Sequence, residues 1–291
     1  MSPFTYSQAI RFADCDPTGI VYFPRIMEMV NNLTEDWFAD GLGVSFEEFH
    51  LRLRYGMPVV NTRIDFLKAC RLGERLSFDL GVETPGRSSL VLRITGSVAG
   101  EERIRLRHKV AMFSMDTHRS VMIPDDMRAR MQAFVIAGAA SSPESVTHDG
   151  EVPASAFGST QPVRFAHCDP AGIVFYPRYF DMLNCAVEDW FAQGLQCPWG
   201  PDFMGRRNLR IPSLWIAVEF LRPSKLSETL RFDVWPTRLG RSTIDVSIQG
   251  SMEGEPRLRA AQKLCIIDFA MFRSTPIPQD LRERMQRFLP G

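Results

Sequence analysis

The sequence predicts an α+β protein built twice, as two tandem copies of a unit in which an antiparallel sheet wraps around one long central helix. Three observations carry this. Residues 11–42 and 164–195 are identical at 20 of 32 aligned positions without a gap, and self-similarity of that length marks a duplicated folding unit. The parallel runs on to the C-terminus: GERLSFD (73–79) against SETLRFD (227–233), PGRSS (85–89) against LGRST (239–243), and IPDDMRARMQAF (123–134) against IPQDLRERMQRF (277–288). Within each copy, one stretch of helical period is followed by several of strand composition. Between the copies, AGAASSPESVTHDGEVPASAFGS (137–159) is rich in Ala, Ser, Gly and Pro and reads as a linker, so the expected domains are 1–136 and 160–291.

In the first copy, the apolar segment near 4–12 reads as a strand, and the polar loop ADCDPTG (13–19) follows it. From Pro24 to about Asp40, the apolar residues Ile26, Met27, Met29, Val30, Leu33, Trp37 and Phe38 recur at helical spacing. Pro24 suits the first turn, where a missing N–H is harmless, and Gly41 suits the position after the last. Pro177, Met182, Leu183, Trp190, Phe191 and Gly194 repeat the pattern. Segments 57–67, 74–83, 89–99 and 103–116, rich in Val, Ile, Leu and Phe, read as strands separated by the turn signals RLGE, PGR and AGEE. A short helix begins near Pro124, with Asp125 and Asp126 in its first turn. Strands that follow one another pair by default as an antiparallel meander.

Lys+Arg and Asp+Glu balance at 34 each, so no global field draws in nucleic acid and no such partner is expected. No apolar run approaches the ~18 residues of a membrane span, and the N-terminus shows no basic-then-apolar signal. No membrane association is expected, and the predicted location is the cytoplasm. The six cysteines lack metal-ligand spacing and read as reduced thiols, with Cys15 and Cys168 notable for standing beside a repeated Asp. The five histidines form no ligand pattern, so neither metal nor cofactor is predicted. A G-x-S-x-G nucleophile elbow is absent.

The residues DCDPTGIVYFPR (14–25) and HCDPAGIVFYPR (167–178), a D-P-x-G-I-V-x-x-P run leading into a long helix, resemble the hotdog-fold acyl-CoA thioesterases of the 4-hydroxybenzoyl-CoA thioesterase-like branch. The resemblance covers about 11–134 and 164–289. It implies a hotdog fold in each half, the halves pairing as a pseudo-dimer with sites at their interface. It also implies a thioester hydrolase acting on an aromatic acyl-CoA such as hydroxybenzoyl-CoA, or on a short or medium acyl-CoA, with coenzyme A part of the substrate. Carried residue by residue, it makes Asp16 and Asp169 the catalytic nucleophile or general base. The backbone N–H groups of Phe23 and Tyr176 become oxyanion donors, and Arg87, Ser88, Arg241 and Ser242 become ligands of coenzyme A. Whether fused pairs assemble further as homo-oligomers is left open.

Residue chemistry supports the same assignment. A carboxylate just ahead of a helix N-terminus faces the positive end of the helix dipole. The N–H groups there can hold the negative oxygen that develops when a thioester is attacked. A guanidinium beside a hydroxyl in a turn suits phosphate. Taken alone, D-P-x-G is also plain turn chemistry, and a hairpin arginine is also plain surface. Arg52, Arg54, Arg206, Arg207 and Arg210, in the variable connection, read as solvated surface.

Several positions depart from the family. Asn31 and Asn184 stand where the 4-hydroxybenzoyl enzyme has an acidic helix residue. GMP (56–58) and RIP (210–212) replace G-T-P. Both changes weigh against the 4-hydroxybenzoyl substrate rather than against acyl-CoA. Trp199 and Trp215, present only in the second copy, either narrow its pocket or pack in its core. Asp14 becomes His167, whose imidazole would lower the pKa of Asp169 if protonated. Two alternatives stand beside hydrolysis. A hotdog dehydratase would use a His paired with Glu or Asp at the helix, which the repeated loop lacks. A non-catalytic acyl-CoA-binding or sensing module would have lost the chemistry.

Overall fold

The computed structural model describes residues 2–83, 85–117, 119–136 and 151–291. The chain divides into two compact units, 1–145 and 146–291. In the first, β1 (Phe4–Ala9) leads through the loop to α1 (Phe23–Asp36). Then come β2 (Val59–Phe66), β3 (Arg75–Val82), β4 (Ser89–Val98), β5 (Glu101–Ala111) and α2 (Asp125–Met131). The second unit repeats the order with β6 (Phe157–Pro162), α3 (Tyr176–Asp189), β7 (Ser213–Phe220), β8 (Thr229–Leu239), β9 (Thr243–Met252), β10 (Glu255–Cys265) and α4 (Gln279–Gln286). Most of the expected linker, 137–150, lies outside the described residues. Its last part does not behave as linker: Phe157, Gly158 and Ser159 pair with Val234, Asp233 and Phe232. Gly158 and the polar residues after it hid an edge strand that takes its stability from the neighbouring ladder and from Phe157 against Phe288.

The sheet of the first unit runs β1-β3-β4-β5-β2, all antiparallel. That of the second runs β6-β8-β9-β10-β7 in the same manner. This corrects the expected meander. Only β3, β4 and β5 follow one another, because only their connections are tight turns that force hairpin pairing. The longer connection from β2 to β3 lets β2 take the far edge, beside β5. There the Leu67 N–H reaches the Arg103 carbonyl at 2.8 Å, and Arg103 Nη1 donates to the Ala69 carbonyl at 2.6 Å.

Alternate residues of β4 and β5 (Leu90, Leu92, Ile94, Val98; Ile104, Leu106, His108, Val110) are buried, the period of a sheet with one covered face. The cover is α1, whose buried residues Pro24, Ile26, Met27, Met29, Val30, Asn31 and Leu33 form a broad band. A helix wrapped by a sheet needs a wider apolar face than one lying on a surface.

The repeated E-D-W-F-A-x-G-L has a packing cause. After α1, the chain widens into a looser turn over Trp37–Gly41. A Cβ on Gly41 would meet Cδ1 of the buried Trp37 at 2.7 Å, and one on Gly194 would meet Cδ1 of Trp190 at 2.9 Å. Each indole in turn stacks edge-on against the aromatic ending the unit, Phe134 or Phe288, at 6.0 Å. Gly41 is thus required for close approach rather than as a left-handed stop after the helix; the residue with positive φ is Gly43, at 64°. Gly41→Ala should destabilise the first unit by about 1–3 kcal/mol, the usual cost of overpacking. Heat unfolding checks this, and an unchanged midpoint would show that the indole can give way.

Candidate active site

In each unit, the segment ahead of the long helix folds into a narrow hairpin. The Tyr22 N–H donates to the Asp14 carbonyl at 2.9 Å and the Asp16 N–H to the Ile20 carbonyl at 3.0 Å, with Cys15 bridging Val21 between them. The second copy repeats each rung: Phe175 to His167 at 2.9 Å, Asp169 to Ile173 at 3.0 Å, and Cys168 opposite Val174. The tip is a turn in which Gly19 and Gly172 take φ of 79° and 78°. A Cβ would meet nothing at either, so the backbone conformation alone calls for glycine. Val21 and Val174 tie the hairpin to the body through the carbonyls of Cys70 and Ser224, both at 2.9 Å.

The candidate carboxylates stand at this tip, half-buried. Asp16 Oδ1 accepts the Thr18 N–H at 2.7 Å and the Thr18 hydroxyl. Asp169 Oδ1 accepts the Ala171 N–H at 2.9 Å. The turn chemistry of D-P-x-G is therefore real. It uses one carboxylate oxygen: among the described residues, every hydrogen bond to the Asp16 side chain falls on Oδ1. Asp16 does not cap the helix, since α1 begins without a side-chain cap at Tyr22. The first residues of the two long helices are Phe23 and Tyr176, the expected oxyanion positions, each followed by proline. Two rungs of hairpin, about 7 Å along the strand, separate Asp16 from the level of Asp14 and the helix start. Hairpin and helix thus bring the carboxylate and the helix N-terminus into one local assembly in each copy.

The exchange of Asp14 for His167 conserves a job. Asp14 Oδ2 accepts the Arg11 N–H at 2.7 Å, and His167 Nδ1 accepts the Arg164 N–H at 3.1 Å. An accepting Nδ1 belongs to a neutral ring. Burial, and then the Arg178 charge, hold the His167 pKa below its ordinary value. The condition under which His167 would lower the pKa of Asp169, a protonated imidazole, is therefore not met. The neighbouring thiols are also held back. Burial, then Asp14 and Asp16, push the Cys15 pKa up, and burial, then Asp169, push up that of Cys168. Neither is a ready thiolate nucleophile.

Arg87–Ser88 and Arg241–Ser242 sit in the tight turns between β3 and β4 and between β8 and β9. Both arginines are exposed. The turns are pinned identically. Gly86 and Gly240 N–H groups reach the Ser89 and Thr243 carbonyls at 2.8 Å, Met112 and Ile266 N–H groups hold the Ser88 and Ser242 carbonyls at 2.7 and 2.8 Å, and Ile123 and Ile277 hold those of Arg87 and Arg241 at 3.0 and 2.8 Å. No backbone N–H of Arg87, Ser88, Arg241 or Ser242 has a hydrogen-bond partner among the described residues, while the Arg87 side chain donates its Nε–H to Met122 Sδ at 3.0 Å. Successive unsatisfied N–H groups of a turn form a concavity suited to an anion. No hydrogen bond or ion pair among the described residues joins Asp16 to Arg87 or Ser88.

Residues missed in the sequence are Arg128 and Arg282 on the short terminal helices. Each guanidinium donates to three turn carbonyls, those of Pro85, Gly86 and Arg87 in one unit and of Leu239, Gly240 and Arg241 in the other. Their only signal was retention in both copies of IPxDxRxRM.

The departures resolve mostly as structure. Asn31 is buried and donates to Glu35 at 2.6 Å, whereas Asn184 is half-buried. At Gly56, a Cβ would meet the Phe113 ring at 2.7 Å; Arg210, its counterpart, lies over Phe269 at 3.9 Å. Trp199 packs edge-on against Phe191 at 5.9 Å. Trp215 pairs with Lys263 on the strand phase opposite to the buried Ile216 and Val218, so it does not narrow a pocket inside the unit. Arg207 is no solvated surface residue: it grips Asp280 through two hydrogen bonds at 2.9 and 2.6 Å, which holds the Asp280 carboxyl below its ordinary range. Among the described residues no helix is long and apolar enough to cross a membrane.

The family model of the thioesterase-like superfamily matches residues 10–131 and 163–285. A 1,4-dihydroxy-2-naphthoyl-CoA hydrolase of Thermosynechococcus vestitus is 29% identical over 129 residues, 44% of this chain and 88% of that protein. One of Nostoc punctiforme is 27% identical over 77 residues, 26% of this chain and 51% of that protein. Among solved structures, the 12:0-ACP thioesterase of Umbellularia californica matches 91% of this chain and 94% of its own with a TM-score of 0.73 at 15% identity. An acyl-ACP thioesterase of Bacteroides thetaiotaomicron matches 90% and 97% with a TM-score of 0.68 at 14% identity. At those identities the structures speak for the fold.

Proposed function

From the premise that this chain belongs to the thioesterase-like superfamily, matched once in each unit, we propose that it hydrolyses an acyl-CoA thioester to the free acid and coenzyme A. The observation that carries the reading is the doubled hairpin. In each copy it holds an Asp at its tip and delivers the chain directly into the N-terminus of the buried long helix. Asp16 and Asp169 attack the thioester carbonyl or activate the water that does. The helix N-termini at Phe23 and Tyr176 stabilise the oxyanion. Arg87 with Ser88, and Arg241 with Ser242, bind phosphates of coenzyme A. Naphthoyl-CoA chemistry in the curated relatives favours an aromatic acyl group.

Release of free thiol from a panel of aromatic and aliphatic acyl-CoAs tests this. Aromatic thioesters should be cleaved fastest. Tight binding of coenzyme A without thiol release from any member would replace hydrolysis with acyl-CoA sensing. Single-turnover hydrolysis in heavy-oxygen water separates the two roles of Asp: label entering the carboxylate marks it as nucleophile.

A further inference from the structure

We propose that Arg128 and Arg282 are positioning residues for coenzyme A recognition, holding the carbonyl side of each phosphate-binding turn away from the ligand. The inference rests on the reading of Arg87–Ser88 and Arg241–Ser242 as that turn. In the first unit, Arg128 Nη1 donates to the Gly86 carbonyl at 2.7 Å and to that of Pro85 at 3.4 Å, and Nη2 donates to that of Arg87 at 2.9 Å. In the second, Arg282 Nη1 donates to the Leu239 carbonyl at 3.4 Å, and Nη2 donates to those of Gly240 and, at 3.4 Å, Arg241. The Ser88 and Ser242 carbonyls are taken by Met112 and Ile266. All four carbonyl oxygens of each turn therefore point into the protein, and the positive ends of its peptide dipoles are presented outward. The Arg87 and Arg241 carbonyls keep a backbone donor in Ile123 and Ile277. Without the clamp, however, the Gly86 and Gly240 carbonyls, which no backbone N–H holds among the described residues, are free to turn towards an incoming phosphate and repel it. A planar guanidinium serves three acceptors at once; an ammonium is a point charge and does not.

The same short helices carry an internal control. Arg130 and Arg284, two residues further on, donate to the carbonyls of Leu42 at 2.6 Å and Leu195 at 2.8 Å, beyond the ends of the long helices. They make comparable bonds to backbone but do not touch the phosphate turn.

The readout is the ratio of kcat/KM for an acyl-CoA to kcat/KM for the N-acetylcysteamine thioester of the same acyl group, which lacks the nucleotide. Three double variants are compared with the full chain: Arg128→Ala/Arg282→Ala, Arg130→Ala/Arg284→Ala and Arg87→Ala/Arg241→Ala. The clamp variant should lower the ratio about tenfold through KM for the acyl-CoA, the scale of one charge-assisted interaction. Arg128→Lys/Arg282→Lys should recover only part of the loss. Arg130→Ala/Arg284→Ala should lower the melting temperature and leave the ratio as it was. A ratio that falls in the Arg87/Arg241 pair but not in the Arg128/Arg282 pair overturns the clamp. A ratio unmoved in the Arg87/Arg241 pair overturns the turn assignment beneath it. Should the alanine clamp variant fail to fold, the lysine pair carries the same comparison.

Discussion

Asp16→Asn together with Asp169→Asn should lower kcat for thioester hydrolysis by about 10³-fold, the usual worth of a catalytic acid–base group, and leave the fold intact. Asparagine is the informative replacement. Its side-chain carbonyl still accepts the turn N–H that Oδ1 now accepts from Thr18 or Ala171, so the hairpin keeps its shape and only charge and nucleophilicity disappear. Each single variant reports on its own copy. The copies differ at the residue two positions on: the Thr18 hydroxyl also binds Asp16 Oδ1, whereas Ala171 has only its N–H to give. Thiol release and thermal melting, measured together, decide the matter. If the double asparagine variant melts like the parent and hydrolyses at the same rate, these carboxylates are turn residues and the chemistry lies elsewhere.

The second large effect is a loss of stability in mild acid caused by His108. This ring lies in β5 between Thr62 and Leu92 of the neighbouring strands, 2% exposed, and burial pushes its pKa down to about 3. A lowered histidine pKa means that the unfolded chain binds the proton first. Above pH 6.5 the group contributes nothing to the pH dependence, and between 6.5 and about 3 the folded state loses stability progressively. By pH 4.5 the loss amounts to about 2–3 kcal/mol at 1.36 kcal/mol per pH unit. His167, lowered as well, adds in the same direction, but its half-exposed ring is better screened and adds less. At the position equivalent to His108, the second unit has Gln262, which donates to Ser213 at 2.6 Å. His108→Gln with Val59→Ser transplants that pair and should flatten the dependence of unfolding free energy between pH 7 and pH 4.5. Denaturant titrations at several pH values check it; parallel pH slopes in parent and variant would remove His108 as the cause.

Much of this molecule was legible in its sequence because the chain is its own comparison. Pro24 and Pro177 marked the helix starts, and the strand segments fell within a few residues of β2 to β5. Asp16 and Asp169 stood out as the acidic loop residue that both copies kept. Other features were not legible because their cause is spatial. β2 crosses to the far edge beside β5, a choice no local pattern encodes. The edge strand beginning at Phe157 has a single large apolar residue, followed by Gly, Ser, Thr, Gln and Pro, and exists because β8 offers a ladder to complete. Asp14 and His167 look like a change of chemistry and turn out to be two acceptors for the same backbone N–H.

By itself the sequence determined the duplication and the α+β make-up of each half, because periodicity, turn residues and repetition are local properties of a chain. The hotdog architecture and the choice of Asp16 and Asp169 as candidate carboxylates came from the resemblance that the repeated D-P-x-G-I-V motif carries. Only the tertiary structure decided which way those groups face. It turned one oxygen of Asp16 into the loop, made Gly41 a space for an indole rather than a helix stop, and brought Arg128 and Arg282 beneath turns 41 or more residues away in sequence. The physical reason is common to all three: hydrogen-bond direction and close packing depend on which segments meet, and that is settled only when the sheet closes on its helix.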